Sequence, residues 1–397
     1  MEGPGRRWQA LWTSYLLFFG TGVLFFMVPP LLTEIRADIP MDDVAVGWLQ
    51  GIYALPAVLF ALAGGVLLDR LDTKRAGIVS GLVMLGGNIL FNLGADYSLM
   101  MIGRFVVGVG AISINLVAAK MLSHWFREKG LGLAMSVLHT AWPIGGIICF
   151  STFVAGGEAL GWQGTTLAIN IFLAATVAAF ALWAPREEGA ARGRERVWRV
   201  REIAELPRDL WLTGGVWFCF TASMISVLTF GAGFLQESGW GYAAGSFVVG
   251  LIMWTATPGA LAAGWLMDRF GNLKFYIVFP ALGTALCLLG LHAGLHPAAM
   301  MLGAGLAANF LPVAVYALPA QIMPPARLGL AFGVILTFSN LGNTVGPVAT
   351  GWINTLTGGH AMGMIAAAAV FAACAALAAP LAGYRLARAR ERTNEEA

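Results

Sequence analysis

Apolar residues run in long blocks along this chain, and polar residues are mostly confined to the gaps between them. The blocks cover roughly 11–32, 45–68, 76–95, 98–122, 130–154, 164–184, 210–234, 243–267, 274–293, 297–320, 328–353 and 361–383. Each is close to the ~20 residues that a helix needs to cross the hydrocarbon core of a bilayer. The runs are continuous rather than alternating, which excludes a transmembrane barrel. Helices satisfy their own backbone hydrogen bonds, as lipid demands. The pattern predicts an all-α membrane protein with 12 transmembrane helices.

The gaps give the order and the orientation. The longest, 185–209, separates a six-helix half at 1–184 from a second six-helix half at 210–384, with a tail at 385–397. Lys and Arg gather at Arg6 and Arg7, at Arg70, Lys74 and Arg75, at Arg127 and Lys129, and in the linker from Arg186 to Arg208. They recur at Arg269 and Lys274, at Arg327, and in the tail from Arg385 to Arg392. All of these fall on one side if the spans alternate, and the opposite loops hold only Arg36. Basic loops stay on the cytoplasmic face, so both termini are expected there, in a cell inner membrane. The arginine-rich linker suits either a helix lying on the anionic leaflet or a plain connection obeying the same charge rule. No nucleic-acid role is needed to explain it.

Composition agrees with the pattern. The 397 residues are 58% hydrophobic and 11% charged, where soluble domains carry about 25% charged residues. The mean hydropathy is +0.75. The first block is too long for a signal peptide and lacks a small-residue cleavage site, so it reads as a true span. Cys149, Cys219, Cys287 and Cys374 all fall inside spans without a CxxC pair. They read as small packing residues, so no disulfide, metal site or cofactor is expected.

The two halves echo each other. Gly65-Val66-Leu67-Leu68-Asp69-Arg70, with Lys74 and Arg75, ends span 2; Gly264-Trp265-Leu266-Met267-Asp268-Arg269-Phe270-Gly271, with Lys274, ends span 8. Leu131-Gly132-Leu133-Ala134 opens span 5, and Leu328-Gly329-Leu330-Ala331 opens span 11. The offsets are 199 and 197 residues, the mark of a duplicated six-helix unit.

At these residues the chain resembles the major facilitator superfamily, whose signature is G-x-x-x-D-R-x-G-x-K/R after span 2. The resemblance covers the whole chain and implies a transporter built from two pseudo-symmetric six-helix halves that works by alternating access. It also implies gating roles for Asp69, Arg70, Arg75, Asp268 and Arg269. A carboxylate there can meet the positive N-terminal end of a helix and pair with a nearby cation, latching the cytoplasmic side. Asp72 replaces the usual glycine of the first copy, whereas Gly271 keeps it in the second. In span 4, Arg104-Phe-Val-Val-Gly108-Val-Gly110 resembles the family's R-x-x-x-G-x-G pattern. Its glycines allow close helix approach. The stretch Lys120 to Arg127, with Trp142-Pro143-Ile-Gly145-Gly146, resembles the cyanate and nitroimidazole permease branch. His124 stands where many relatives place an acid.

By the same resemblance, spans 1, 4, 7 and 10 line the central cavity, with help from 2, 5, 8 and 11. That favours packing roles for Asn88 and Asn92 in span 3. None of the 21 acidic residues falls in the middle of a predicted span. A buried carboxylate is the usual carrier in proton-coupled cation export, so its absence favours a neutral or anionic cargo. The ionisable candidates are Arg104 and His139. Arg104 lies ~9 Å inside one end of span 4, where it either meets substrate or serves an ion pair or a snorkelling contact. His139 lies ~14 Å into span 5, where it either exchanges a proton or bonds across helices. Asn309, Asn340 and Asn343 offer amide donors and acceptors to a polar solute or to neighbouring helices. Tyr15, Trp217 and Trp254, with Tyr53 and Tyr316, supply aromatic walls or packing.

Pro143, Pro258, Pro312 and Pro347 interrupt spans 5, 8, 10 and 11, which are expected to be the moving helices. Span 5 has Trp142-Pro143 where drug antiporters of the family show Gly-Pro, and spans 2 and 8 lack the arginines of the nitrate porters. The expected activity is import or export of a small organic anion or polar metabolite, with protons as a possible partner ion. The alternatives are an exporter of amphipathic compounds and a non-transporting sensor. No HExxH, GxSxG or paired intramembrane aspartates occur, so an enzyme is not expected. The expected surroundings are lipid, a small-molecule substrate and no second copy of the chain.

Overall fold

The computed structural model describes residues 4–59, 72–127, 130–186, 202, 205–324 and 327–381. These residues are helical nearly throughout, with no β-strand among them. The first half begins with α1 (Pro4–Phe26), a 3-10 turn (Pro29–Leu31), α2 (Leu32–Asp38) and α3 (Asp43–Gly51). It continues with α4 (Thr73–Asn92), α5 (Tyr97–Trp125) and α6 (Leu131–Trp183). The second half contains α7 (Arg208–Glu237), α8 (Tyr242–Trp254), α9 (Ala256–Phe270), α10 (Phe275–His292) and α11 (Pro297–Ala308). It ends with α12 (Phe310–Ala317), α13 (Pro319–Ile322), α14 (Leu328–Thr357) and α15 (Ala361–Ala378).

Nine helical stretches among the described residues are long and apolar enough to span a membrane. One of them, α6, has 53 residues and contains two predicted spans, which turn at Gly161 where φ is 72°. The helix α4 supplies a span of 20 residues, and the second predicted span, 45–68, lies partly outside the described residues. The bundle is thus consistent with twelve spans.

The chain forms two compact units, Met1–Met41 with Trp48–Val197, and Asp42–Gly47 with Trp198–Ala397. In the first, α1 packs on α5 and α6, and α4 packs along α5. Close approach in span 4 depends on its glycines. A Cβ on Gly110 would lie 2.7 Å from the Met84 nitrogen, and one on Gly108 would collide with the Tyr53 carbonyl. Asn88 donates to Asn170 Oδ1 at 2.7 Å, and Asn92 donates to the Gln163 carbonyl at 2.6 Å. Both amides therefore tie span 3 to span 6.

The second unit is built on α7, which packs against α8, α14 and α15. Spans 8 and 10 are each broken, at Thr255 and at Asn309. Pro258 and Pro312 lie three residues beyond those breaks, so neither can donate to the carbonyl four residues back. Spans 5 and 11 differ from expectation, because their helices run unbroken through Pro143 and Pro347. A membrane helix tolerates proline where neighbouring groups take over the freed carbonyl.

The repeat extends to how helix ends are closed. Lys74 donates its ammonium to the carbonyl of Ala184, the residue that caps α6, at 2.7 Å. Lys274 does the same to Ala379, which caps α15. Each lysine sits where the orphan carbonyls and the negative end of the helix dipole favour a cation.

Candidate functional site

Arg104 is 0% exposed. Its Nε donates to the Leu49 carbonyl at 3.1 Å, and a terminal nitrogen donates to the Leu24 carbonyl. The guanidinium lies 5.0 Å from the Tyr53 ring centroid, and Tyr53 donates to the Thr21 carbonyl at 2.9 Å. Gln50 donates to the Phe25 carbonyl at 3.1 Å beside it. Arg104 therefore joins α1, α3 and α5 within one unit. A fixed fork of donors suits that task, since an arginine buried in a span must find acceptors.

His139 is arranged differently. Its ring is exposed, meets Phe18 edge-on at 5.7 Å, and makes no hydrogen bond to a described residue. Pro143 stands four residues later, so the His139 carbonyl also lacks its intrahelical donor. One turn of span 5 therefore offers a free imidazole and a free carbonyl. Tyr15 reaches this region, with its hydroxyl 3.4 Å from Thr140 Oγ1.

The second unit carries a comparable turn in span 11. Asn343 is half-buried with no hydrogen bond among the described residues, and Pro347 frees its carbonyl. Asn340, three residues earlier on the same face, donates to the Leu336 carbonyl at 2.8 Å and keeps its own oxygen available. Asn309 is bound at the break in span 10, donating to Gly305 at 2.6 Å and facing Thr255 Oγ1 at 3.4 Å. Trp217 stacks on Phe220 at 4.9 Å and meets Tyr316 edge-on at 5.3 Å. Its Nε1 is buried without a partner. An unmade hydrogen bond of this kind costs about 1–3 kcal/mol, so the indole N–H is a donor awaiting an acceptor. Trp254 is 52% exposed at the end of α8. A separate apolar cavity of about 730 Å³ is walled by Phe270, Phe275, Phe279 and Phe310 and gathers none of these polar groups.

The gating candidates divide by position. Asp69 and Arg70 lie outside the described residues. Arg75 pairs with Asp72 at 3.0 Å, and Asp72 accepts from the Arg75 backbone N–H at 2.8 Å. The residue that replaces glycine in the first motif is therefore the N-cap of α4. In the second motif Gly271 adopts φ 73° to close α9, a conformation that favours glycine. Asp268 is exposed with no pairing among the described residues, and Arg269 lies over Trp265 and Phe270 at 5.6 and 5.8 Å.

One cluster is absent from the sequence-based candidates. His360, between spans 11 and 12, has Nδ1 2.6 Å from Glu237 Oε1 and Nε2 3.2 Å from Asp43 Oδ2. Burial alone would lower its pKa, but the two carboxylates outweigh that and raise it above the ordinary histidine value of 6.5. A visible signal was available. Asp43, Glu237 and His360 all border spans at the end opposite the basic loops, where cations are scarce.

The model of the Major Facilitator Superfamily matches residues 12–302 and again 212–397. The lysosomal dipeptide transporter MFSD1 of Danio rerio is 25% identical over 372 residues, covering 87% of this chain and 80% of its own length. The putative niacin/nicotinamide transporter NiaP of Bacillus subtilis (strain 168) is 23% identical and covers 83% of each chain. The crystal structure of a bacterial homolog of the human lysosomal transporter Spinster superposes with a TM-score of 0.75 at 17% identity. That match covers 95% of this chain and 97% of the other. The family match, the two-unit helical build and the duplicated motif together show that the chain belongs to the major facilitator superfamily of membrane transporters.

Proposed function

We propose that this secondary transporter moves a small organic anion or polar metabolite across the cell inner membrane, with a proton as coupling ion. One observation carries the reading. Among the described residues, His139, Asn343 and the Trp217 indole are polar groups inside the spans without a hydrogen-bond partner, and none of the three bears a fixed negative charge. Each unit by itself thus offers a carboxylate-bearing solute hydrogen-bond donors from these groups, beside the freed carbonyls, and none of the groups carries a like charge to repel it. The dipeptides and niacin or nicotinamide in the names of the relatives are small polar solutes and support the same class. The finer likeness to cyanate and nitroimidazole permeases fits it as well.

In this reading His139 takes up and releases the proton, and Asn340 and Asn343 orient the solute. Trp217 supplies an indole donor within an aromatic wall. Arg104 holds α1, α3 and α5 in register and makes no direct contact with the solute. Asp69 and Asp268 latch the cytoplasmic side, where the basic loops and both termini lie. The protein works as a monomer.

The exposed Trp254 and the Trp217–Phe220–Tyr316 cluster favour a second reading, export of an amphipathic compound. Uptake of a radiolabelled panel of organic acids, dipeptides and nicotinate into proteoliposomes separates the two. Saturable uptake of a polar solute supports the first reading. Drug resistance conferred on an exporter-deficient host, without such uptake, supports the second.

A further inference from the structure

A histidine flanked by carboxylates at both ring nitrogens has a defined proton preference. Neutral imidazole carries one N–H, so one of its two nitrogens would present a lone pair to an anionic oxygen. Only the imidazolium donates in both directions. At His360 both nitrogens lie within hydrogen-bond reach of carboxylate oxygens, Glu237 at 2.6 Å and Asp43 at 3.2 Å. The backbone fixes the ring further, because the His360 N–H donates to Glu237 Oε2 at 3.0 Å. The groups facing the ring are Asp43 from α3, Glu237 and the Phe230 ring from α7, and the Asn354 amide from α14. Asn354 donates to the same Asp43 oxygen at 2.9 Å. The His360 and Asp43 side chains are 15% and 13% exposed.

The turn that this cluster holds is packed unusually closely. A Cβ on Gly351 would collide with the Asp43 carbonyl, and one on Gly47 would collide with the Pro347 carbonyl. The first turn of α3 therefore lies backbone to backbone on α14. Residues Asp42–Gly47 belong with the second compact unit, while the same helix from Trp48 onward belongs with the first.

We propose that His360, between Asp43 and Glu237, is a proton-binding site that clamps the first turn of α3 to the second unit when protonated and releases it when the proton leaves. The site assigns the proton a second location besides His139, at the end of the spans opposite the basic loops. The inference rests on the transporter reading only for its consequence, that external pH sets how readily the cycle opens. The sign follows from the raised pKa. The proton stabilises the clamped turn fully below about 6.5, the value for free histidine, and the stabilisation is lost as pH rises through the raised value.

The test needs no substrate. Ala45→Cys is introduced into the full-length protein, and maleimide labelling is followed across pH, normalised to the unfolded protein to remove thiolate ionisation. Labelling of the parent is expected to rise with pH, by up to about tenfold per unit for a one-proton equilibrium. His360→Gln is expected to label quickly and without that rise. Identical pH profiles in parent and His360→Gln overturn the proposal. If His360→Gln does not fold, Glu237→Gln decides instead. A midpoint shifted to lower pH supports the clamp, and an unmoved midpoint overturns it. Because labelling is read without transport, a failed substrate panel leaves this result standing.

Discussion

The sequence marks Arg104 and His139 alike, as ionisable groups at membrane depth, yet their surroundings differ. Arg104 spends its donors on the Leu24 and Leu49 carbonyls, whereas the His139 ring keeps both nitrogens free among the described residues. Arg104→Gln is expected to orphan those carbonyls at about 1–3 kcal/mol each. The melting temperature should fall in detergent while KM of the folded fraction stays unchanged; a raised KM at an unchanged melting temperature contradicts a structural role. His139→Gln should flatten the pH dependence of transport at little cost in stability, and an unaltered pH profile removes His139 from coupling. The residue types were legible because polar groups inside apolar blocks stand out. Their partners were not, since carbonyls 55 and 80 residues away carry no sequence signal. His360 was missed although its place at a span end, like those of Asp43 and Glu237, was visible, because nothing in the sequence pairs the three. Its partners lie 123 and 317 positions away, and it reads alone as a loop residue.

At the scale of elements, span positions were readable from block length, and their ends were readable only in part. Asp72 looks like a departure from the family motif, but it caps α4 by accepting from Arg75. Asp72→Ala should therefore cost ~0.5–2 kcal/mol and Asp72→Gly only a few tenths, read by thermal unfolding. Equal losses contradict the capping role. The exposed ion pair with Arg75 adds little in either case. Lys74 and Lys274 read in sequence as positive-inside charges, yet each closes a helix C-terminus in its own unit. Lys74→Met and Lys274→Met should each destabilise by ~0.3–1 kcal/mol. The prolines show where sequence reasoning overreaches. Loss of one N–H is visible in the sequence, but whether the helix breaks depends on neighbours. Spans 8 and 10 part at Thr255 and Asn309, which face each other at 3.4 Å, while spans 5 and 11 continue.

For the whole molecule, the duplicated motif and the one-sided basic loops were enough to imply two six-helix halves, because the motifs recur at nearly one offset and the charges alternate with the spans. Cargo is harder to read, since it depends on which polar groups remain unpaired after folding. The paired motifs bear on the cycle. Asp69→Asn and Asp268→Asn should each increase thiol labelling from the side of the basic loops, and unchanged labelling in both argues against latching. The central claim is that the unpaired neutral groups receive a small polar or anionic solute. Counterflow in proteoliposomes tests it most directly, with the parent compared with Asn343→Ala and His139→Gln. The expected result is saturable exchange of an organic anion or polar metabolite, with KM raised several-fold by Asn343→Ala and pH dependence lost in His139→Gln. Exchange confined to amphipathic compounds, or kinetics unchanged in both variants, contradicts it.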